Sequence, residues 1–172
     1  MGAGILPVCL VNGKILFLFG KEQLHDKHPG WADFGGGTDK GESPLQTATR
    51  EGSEELTGFL GNQQDIKTHF RNHPPLIVKY QDPNYPHPYW IYLYKTQYDP
   101  NLPIYYNNNQ RFLQTRLPQT ILKKSKIFEK AEIRWIKMEE LIPMRGKFRS
   151  FYRPCVDLLV AHQREILTFL QK

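Results

Sequence analysis

The sequence predicts an α/β fold on three observations: two β-prone runs joined by Asn12-Gly13, a helical pattern that starts at Ser43, and an amphipathic helix that closes the chain over residues 148–170. Residues 5–11 and 14–19 are the opening strands, because Asn and Gly tolerate the positive φ of a two-residue hairpin turn. Residues 21–30 are polar and loop-like. Trp31-Ala32-Asp33-Phe34 then leads as a short strand into Gly35-Gly36-Gly37, where the backbone can approach a ligand closely. Ser43 can cap a helix that has Pro44 at its first position, and Leu45, Ala48, Gly52 and Leu56 recur at three and four residues, which predicts a helix over about residues 44–56. Residues 66–70, 75–80 and 89–97 read as further strands, and residues 98–118, without clear periodicity, as a long polar and aromatic loop. Residues 132–136 are a last short strand and residues 138–142 a helical turn.

The chain of 172 residues is expected to form a single domain, 1–172, and with 40% apolar and 13% aromatic side chains it can bury a sizeable core, which excludes disorder as its main state. The net charge is +6 and unevenly spread: residues 111–172 hold 14 basic and 6 acidic side chains, residues 1–110 hold 9 and 11. A polyanionic partner such as RNA would meet the C-terminal third, where Lys123, Lys124, Lys126 and Lys130 form a basic run. Cys9 and Cys155 lack metal-ligand spacing and cannot make a disulfide framework, so they read as core residues of a protein in a reducing, cytoplasmic setting. No apolar run approaches the ~20 residues a bilayer needs, and no membrane partner is expected. Nothing in the sequence sets the oligomeric state.

Within the predicted helix Glu51, Glu54 and Glu55 stand at i, i+3 and i+4 on one face, where like charges repel unless a cation neutralises them. Clustered hard oxygen ligands suit Mg²⁺ or Mn²⁺, ions that bind through carboxylates together with substrate phosphates. On spacing alone a solvated acidic face is the simpler account.

The surroundings argue for the metal. Gly36, five residues, Glu42, seven residues, Arg50-Glu51, two residues, Glu54-Glu55 and then Gly58-Phe59 resembles the signature of the Nudix hydrolases, a loop, helix and loop that bind divalent metal and a diphosphate. Six fixed positions match in register from Gly36 to Glu55. Two departures stand out: Gly52 takes a slot where the family has an apolar residue, and Leu56-Thr57 replaces one residue before Gly58. Gly52 then points to a close approach of helix and sheet, and the insertion puts the shape of the exit loop in doubt. The opening strands, residues 31–37 and Glu132-Ile133-Arg134-Trp135 also look like the family's, so the resemblance covers most of the chain.

The resemblance implies an α/β/α sandwich with a mixed sheet and Mg²⁺-dependent hydrolysis of a nucleoside diphosphate linked to another group, such as a nucleotide or dinucleoside polyphosphate. It places Glu51, Glu54 and Glu55 as metal ligands, joined by Glu129 in preference to Glu132, with Glu51 the first candidate for general base. Arg50 and Glu42 would hold the glycine loop on the helix, and Gly58 would close the motif. For substrate contacts the expected residues are Gly35, Gly36 and Gly37 through their amides, Trp31 by stacking, and Lys124 and Lys126 by charge. A narrower likeness, to Nudix proteins of large DNA viruses, implies host cytoplasm and adds removal of messenger-RNA caps or hydrolysis of diphosphoinositol polyphosphates as alternatives. Viral decapping members usually carry an extra N-terminal domain, for which a glycine loop beginning at residue 35 leaves no room. A reading of another class is a non-catalytic nucleotide- or RNA-binding module on the same fold.

Overall fold

The structure, a computed structural model, describes residues 2–23, 28–84, 86–124 and 129–172. β1 (Gly2–Val11) and β2 (Lys14–Glu22) form the opening hairpin, with Val11 opposite Lys14 and both turn residues, Asn12 and Gly13, at positive φ. β3 (Trp31–Ala32) and β4 (Phe34–Gly37) follow, then β5 (Leu76–Tyr80), β6 (Tyr89–Lys95) and β7 (Lys130–Lys137). The sheet of seven strands runs β3-β2-β1-β6-β5, with β4 also on β1 and β7 also on β2. β1 and β6 are parallel and every other pair is antiparallel, so the sheet is mixed.

Among the described residues, seven helices cover it. α1 (Pro44–Glu55), α2 (Gln63–Asn72), α3 (Leu102–Arg116) and α4 (Gln119–Lys124) precede β7; α5 (Leu141–Met144), α6 (Arg153–Ala161) and α7 (Gln163–Gln171) follow it. Alternation along β1 sorts the layers. Leu6 and Val8 join Phe17, Phe19, Val156, Leu159 and Ile166 in a core under α6 and α7. Ala3 and Ile5 point the other way, to Ala48 of α1 and Ile66 and Phe70 of α2. A third cluster sets Leu56 and Tyr106 on Leu18, Phe34 and Ile133. The result is the expected α/β/α sandwich. Among the described residues, no helix is long and apolar enough to cross a membrane.

Three sequence expectations are corrected. Residues 66–70 are the middle of α2 instead of a strand. Asn62 caps that helix and Asp65 returns the bond to the Asn62 amide, a start signal that outweighs the β-prone look of a five-residue window, and Ile66 and Phe70 are buried at i and i+4. Most of residues 98–118 are helical, as α3; its apolar periodicity is weak because only Tyr106 and Gln110 are buried. The single closing helix is two, α6 and α7, broken at His162 after a short 3₁₀ turn at Ser150–Tyr152.

Candidate active site

α1 starts at a reciprocal cap in which the Gln46 amide N–H donates to Ser43 Oγ and the Ser43 amide to Gln46 Oε1, with Pro44 at the first helical position. This sets the helix over the sheet end where β4 meets β1. A Cβ on Gly52 would lie 2.7 Å from Ile5 Cδ1, and one on Gly36 would lie 2.6 Å from Glu51 Oε1. Both glycines therefore let helix and sheet meet more closely than a side chain would allow. The helix ends at Leu56, and the additional residue Thr57 takes the left-handed position at φ 51°. The Gly58 amide donates to the Ser53 carbonyl and the Thr57 amide to the Glu54 carbonyl, so the exit loop is a Schellman turn that satisfies helix-end acceptors.

Arg50 ties the loop to the helix. Its Nε and Nη2 donate to the two carboxylate oxygens of Glu42 at 2.8 and 3.0 Å, Nη1 to Glu51 Oε1 at 2.7 Å, and Nη2 also to the Gly37 carbonyl at 3.2 Å. Glu42 further accepts from the Asp39 amide and the Thr47 hydroxyl. The Arg50 guanidinium, with those two donors, holds the Glu42 carboxyl well down, at about 2. Glu54 stands one turn along, its Oε2 3.6 Å from Arg50 Nη1.

The acidic centre lies beside this frame. Glu51, Glu55 and Glu129 each bring a carboxylate oxygen within 4.8 Å of the others. Glu55 is buried, and its Oε2 has no hydrogen-bond partner among the described residues. Burial, with the charges of Glu22 and Glu129 nearby, pushes its carboxyl well above the usual range. The other oxygen, Oε1, faces Lys130 Nζ at 3.0 Å, and Lys130 is fully buried and also hydrogen-bonded to Glu22. Burial opposes the charge on Lys130, yet the facing Glu55 and Glu22 outweigh it and hold the ammonium protonated beyond its ordinary range. Arg149 Nη1 closes the chain of charges on Glu22 Oε1 at 2.6 Å. An orphaned, buried carboxylate oxygen flanked by two more carboxylates fits a hard divalent cation.

A profile of the NUDIX domain matches residues 1–159. The chain belongs to the Nudix hydrolase family. Among solved structures it is similar to a C. elegans Ap4A hydrolase binary complex, with TM-score 0.51 and 18% identity over 95% of this chain and 97% of the other. It is also similar to the Nudix hydrolase RenU of M. smegmatis (0.52, 13%, over 97% and 85%) and to a MutT protein of Methanosarcina mazei Go1 (0.52, 15%, over 96% and 93%). At these identities the likeness is one of fold. No curated protein matches the sequence.

In this Nudix hydrolase the predicted site residues separate into those gathered at the motif and those elsewhere. Arg50, Glu42, Gly36, Gly37, Glu51 and Glu54 meet as described, and Gly35 packs so tightly on β1 that a Cβ there would lie 2.4 Å from Gly4 Cα. Glu129 stands with Glu51 and Glu55, whereas Glu132 is paired with Lys21 at 2.7 Å, about two-fifths exposed. Trp31 offers no face to a substrate: it is 6% exposed, packed in the α6 core and bridged to Phe148. Lys124 is exposed at the end of α4, and Lys126 lies outside the described residues. Part of the C-terminal positive charge is paired with carboxylates, Lys130 and Arg149 with Glu22 inside the fold, and Arg134 with Glu140 and Arg145 with Asp157 at the surface. That reduces what a polyanion would meet.

Sequence reasoning missed Lys130, Glu22 and Arg149, whose partnership spans 108 residues between Lys130 and Glu22 and leaves no local signal. It missed Asp33 too. This carboxyl is buried on the α6 side, accepts from the Tyr89 hydroxyl at 2.8 Å, and leaves Oδ2 with no hydrogen-bond partner among the described residues. Burial pushes it up to about 7, against the opposing pull of the Tyr89 and Tyr152 hydroxyls and of the Lys130 and Arg149 charges.

Proposed function

We propose that the chain is a Mg²⁺-dependent pyrophosphohydrolase that cleaves a phosphoanhydride in a nucleoside diphosphate linked to another group, a nucleotide or dinucleoside polyphosphate. The observation that carries the reading is the meeting of Glu51, Glu55 and Glu129 with the unpartnered Glu55 Oε2 at its centre. Those three residues, with Glu54, would hold the ion; Mn²⁺ is the substitute expected for the same oxygen donors. When bound, the ion would neutralise diphosphate oxygens and acidify water.

The protein's own residues would do the rest. Arg50 fixes Glu51 Oε1, which leaves Oε2 to take the proton from the attacking water as general base. Glu42 and Arg50 keep the Gly35–Gly37 segment rigid, so that bound phosphate would meet a preorganised loop. An Ap4A hydrolase among the similar folds supports including dinucleoside polyphosphates among the substrates tried.

The test incubates the protein with Mg²⁺ and a panel of nucleoside triphosphates, dinucleoside polyphosphates, nucleotide sugars, diphosphoinositol polyphosphates and capped RNA, with products identified by mass. The expected result is phosphoanhydride cleavage of a nucleotide member and a loss of at least ~100-fold in Glu54→Gln. Cleavage that survives that substitution undiminished would overturn the metal assignment. Cleavage of no member would leave a binding module.

A further inference from the structure

At the end of the sheet away from the glycine loop, the last turn of α2, the end of β6 and Lys172 line a cavity of about 480 Å³. Lys95 of β6 is opposite Val8 of β1, whereas Gly37 is opposite Gly2, and the six residues of strand between them put the two places about 20 Å apart. His69 and His73 enter the cavity from α2 and its cap. Spaced at i and i+4, they lie on the same side of the helix.

His69 is fixed on three sides. The Tyr94 ring stacks on it, centroids 4.0 Å apart and planes at 20°. The ring also hydrogen-bonds the Lys95 backbone, and because Nε2 is buried with no hydrogen-bond partner among the described residues, Nδ1 makes that bond. Burial, then the charge of His73, lowers the His69 pKa against the pull of the Lys95 bond, so at neutral pH the ring is uncharged and Nε2 carries a lone pair. A ring whose one nitrogen is tied to backbone while the other stands unused is the arrangement of a metal-ligating histidine.

The spacing of the pair fits that use. With each nitrogen about 1.1 Å from its ring centre and Zn–N bonds of about 2.1 Å, two imidazoles meeting on one ion at about 90–110° have centroids about 4.5–5.2 Å apart. The His69 and His73 rings are 5.0 Å apart and tilted by 43°, not stacked flat. His73 is exposed, so its ring can turn to bring a nitrogen to the ion. Among the described residues no carboxylate or thiolate completes a set of three ligands here, which leaves the remaining positions on the ion to water. Lys95 and Lys172 oppose a cation, while the partial negative charge at the end of α2 favours one.

We infer that His69 and His73 form a second metal site, for a divalent ion that prefers imidazole, Zn²⁺ first, separate from the carboxylate site and different from it in donor chemistry. Imidazole pairs suit Zn²⁺, Ni²⁺ and Cu²⁺, whereas Mg²⁺ stays with carboxylate oxygens, so saturating Mg²⁺ leaves this site open.

The test titrates Zn²⁺ into the whole chain in saturating Mg²⁺, followed by calorimetry and by the imidazole carbon-bound proton signals in NMR. Zn²⁺ is expected to shift the His69 and His73 signals together, and Mg²⁺ alone to leave both in place. His73→Ala, an exposed change expected to keep the thermal midpoint of the metal-free protein, should weaken this binding by about 10-fold or more, as should His69→Gln. The wild-type midpoint should rise with Zn²⁺, and that of His73→Ala should rise less. Zn²⁺ that leaves both imidazole signals unmoved, or that binds His73→Ala and His69→Gln as tightly as the wild type, overturns the inference. None of these readouts depends on hydrolysis, so the site stands or falls apart from the proposed activity.

Discussion

The two faces of the sheet at its β1–β4 end handle ionisable groups in opposite ways. On the α1 face carboxylates are many and kept near cations: Glu42 and Glu51 on Arg50, Glu22 and Glu55 on Lys130. On the α6 face the Asp33 carboxyl sits among tyrosines, and burial keeps its proton to about pH 7. The period of two along β1 separates them, with Ala3 and Ile5 facing α1 and Gly4 facing Asp33, whose Oδ2 lies 2.5 Å from where a Gly4 Cβ would be. One backbone thus carries a face of paired, charged carboxylates and a face whose buried carboxyl is kept neutral among rings.

The largest expected effect tests whether ion pairing holds the charged face. Lys130→Met leaves the buried Glu55 carboxyl without its cation and Glu22 with Arg149 alone, and should lower unfolding stability by about 3–5 kcal/mol, the range for a broken buried pair, read by urea denaturation. A loss under about 1 kcal/mol would show that this face does not depend on its cation, and the contrast would fail.

The next tests the neutral face. Asp33 has a folded value raised from an ordinary 3.8 to about 7, so its contribution is fully present below about pH 4 and is lost as pH rises through 7. Three pH units correspond to on the order of 4 kcal/mol. Asp33→Asn should flatten the decline in stability between pH 4 and 7 by up to that amount, measured by denaturation at several pH values; an unchanged slope would mean that Asp33 is charged and the face not neutral.

Glu42→Gln is smaller. It removes charge-assisted bonds to Arg50 and should cost about 2 kcal/mol at neutral pH. Because the Glu42 value is depressed from 4.5 to about 2, the wild-type advantage should persist above about pH 4.5 and disappear as pH falls through 2. Thr57→Gly is the smallest, and of opposite sign. A β-branched residue at φ 51° is strained, so glycine should raise the midpoint of a thermal melt by the equivalent of about 1 kcal/mol.

What the sequence made legible follows the range of each signal. The hairpin at Asn12-Gly13 and the span from Gly36 to Glu55 are local patterns, readable in windows of a few to twenty residues. α2 was also local, since the Asn62 and Asp65 cap stands ahead of Ile66 and Phe70, but a five-residue window hid the helical period. α3 had no such signal, because it buries only Tyr106 and Gln110 and packs through a Tyr106 hydroxyl bond to the Glu55 carbonyl. Lys130 looked like one more member of a basic run. Only the folding of β7 onto β2 brings it to Glu22, and that pairing carries no trace in either neighbourhood.

The bare Cα of Gly36 has a genetic consequence. Every glycine codon becomes an alanine codon by one base change, and the methyl group so added would be aimed at the end of the flexible Glu51 side chain, not at backbone. A single point mutation therefore pushes that carboxylate aside without driving a new atom into the sheet beneath it. The distance from a placed Glu51 to a displaced one is a single base change.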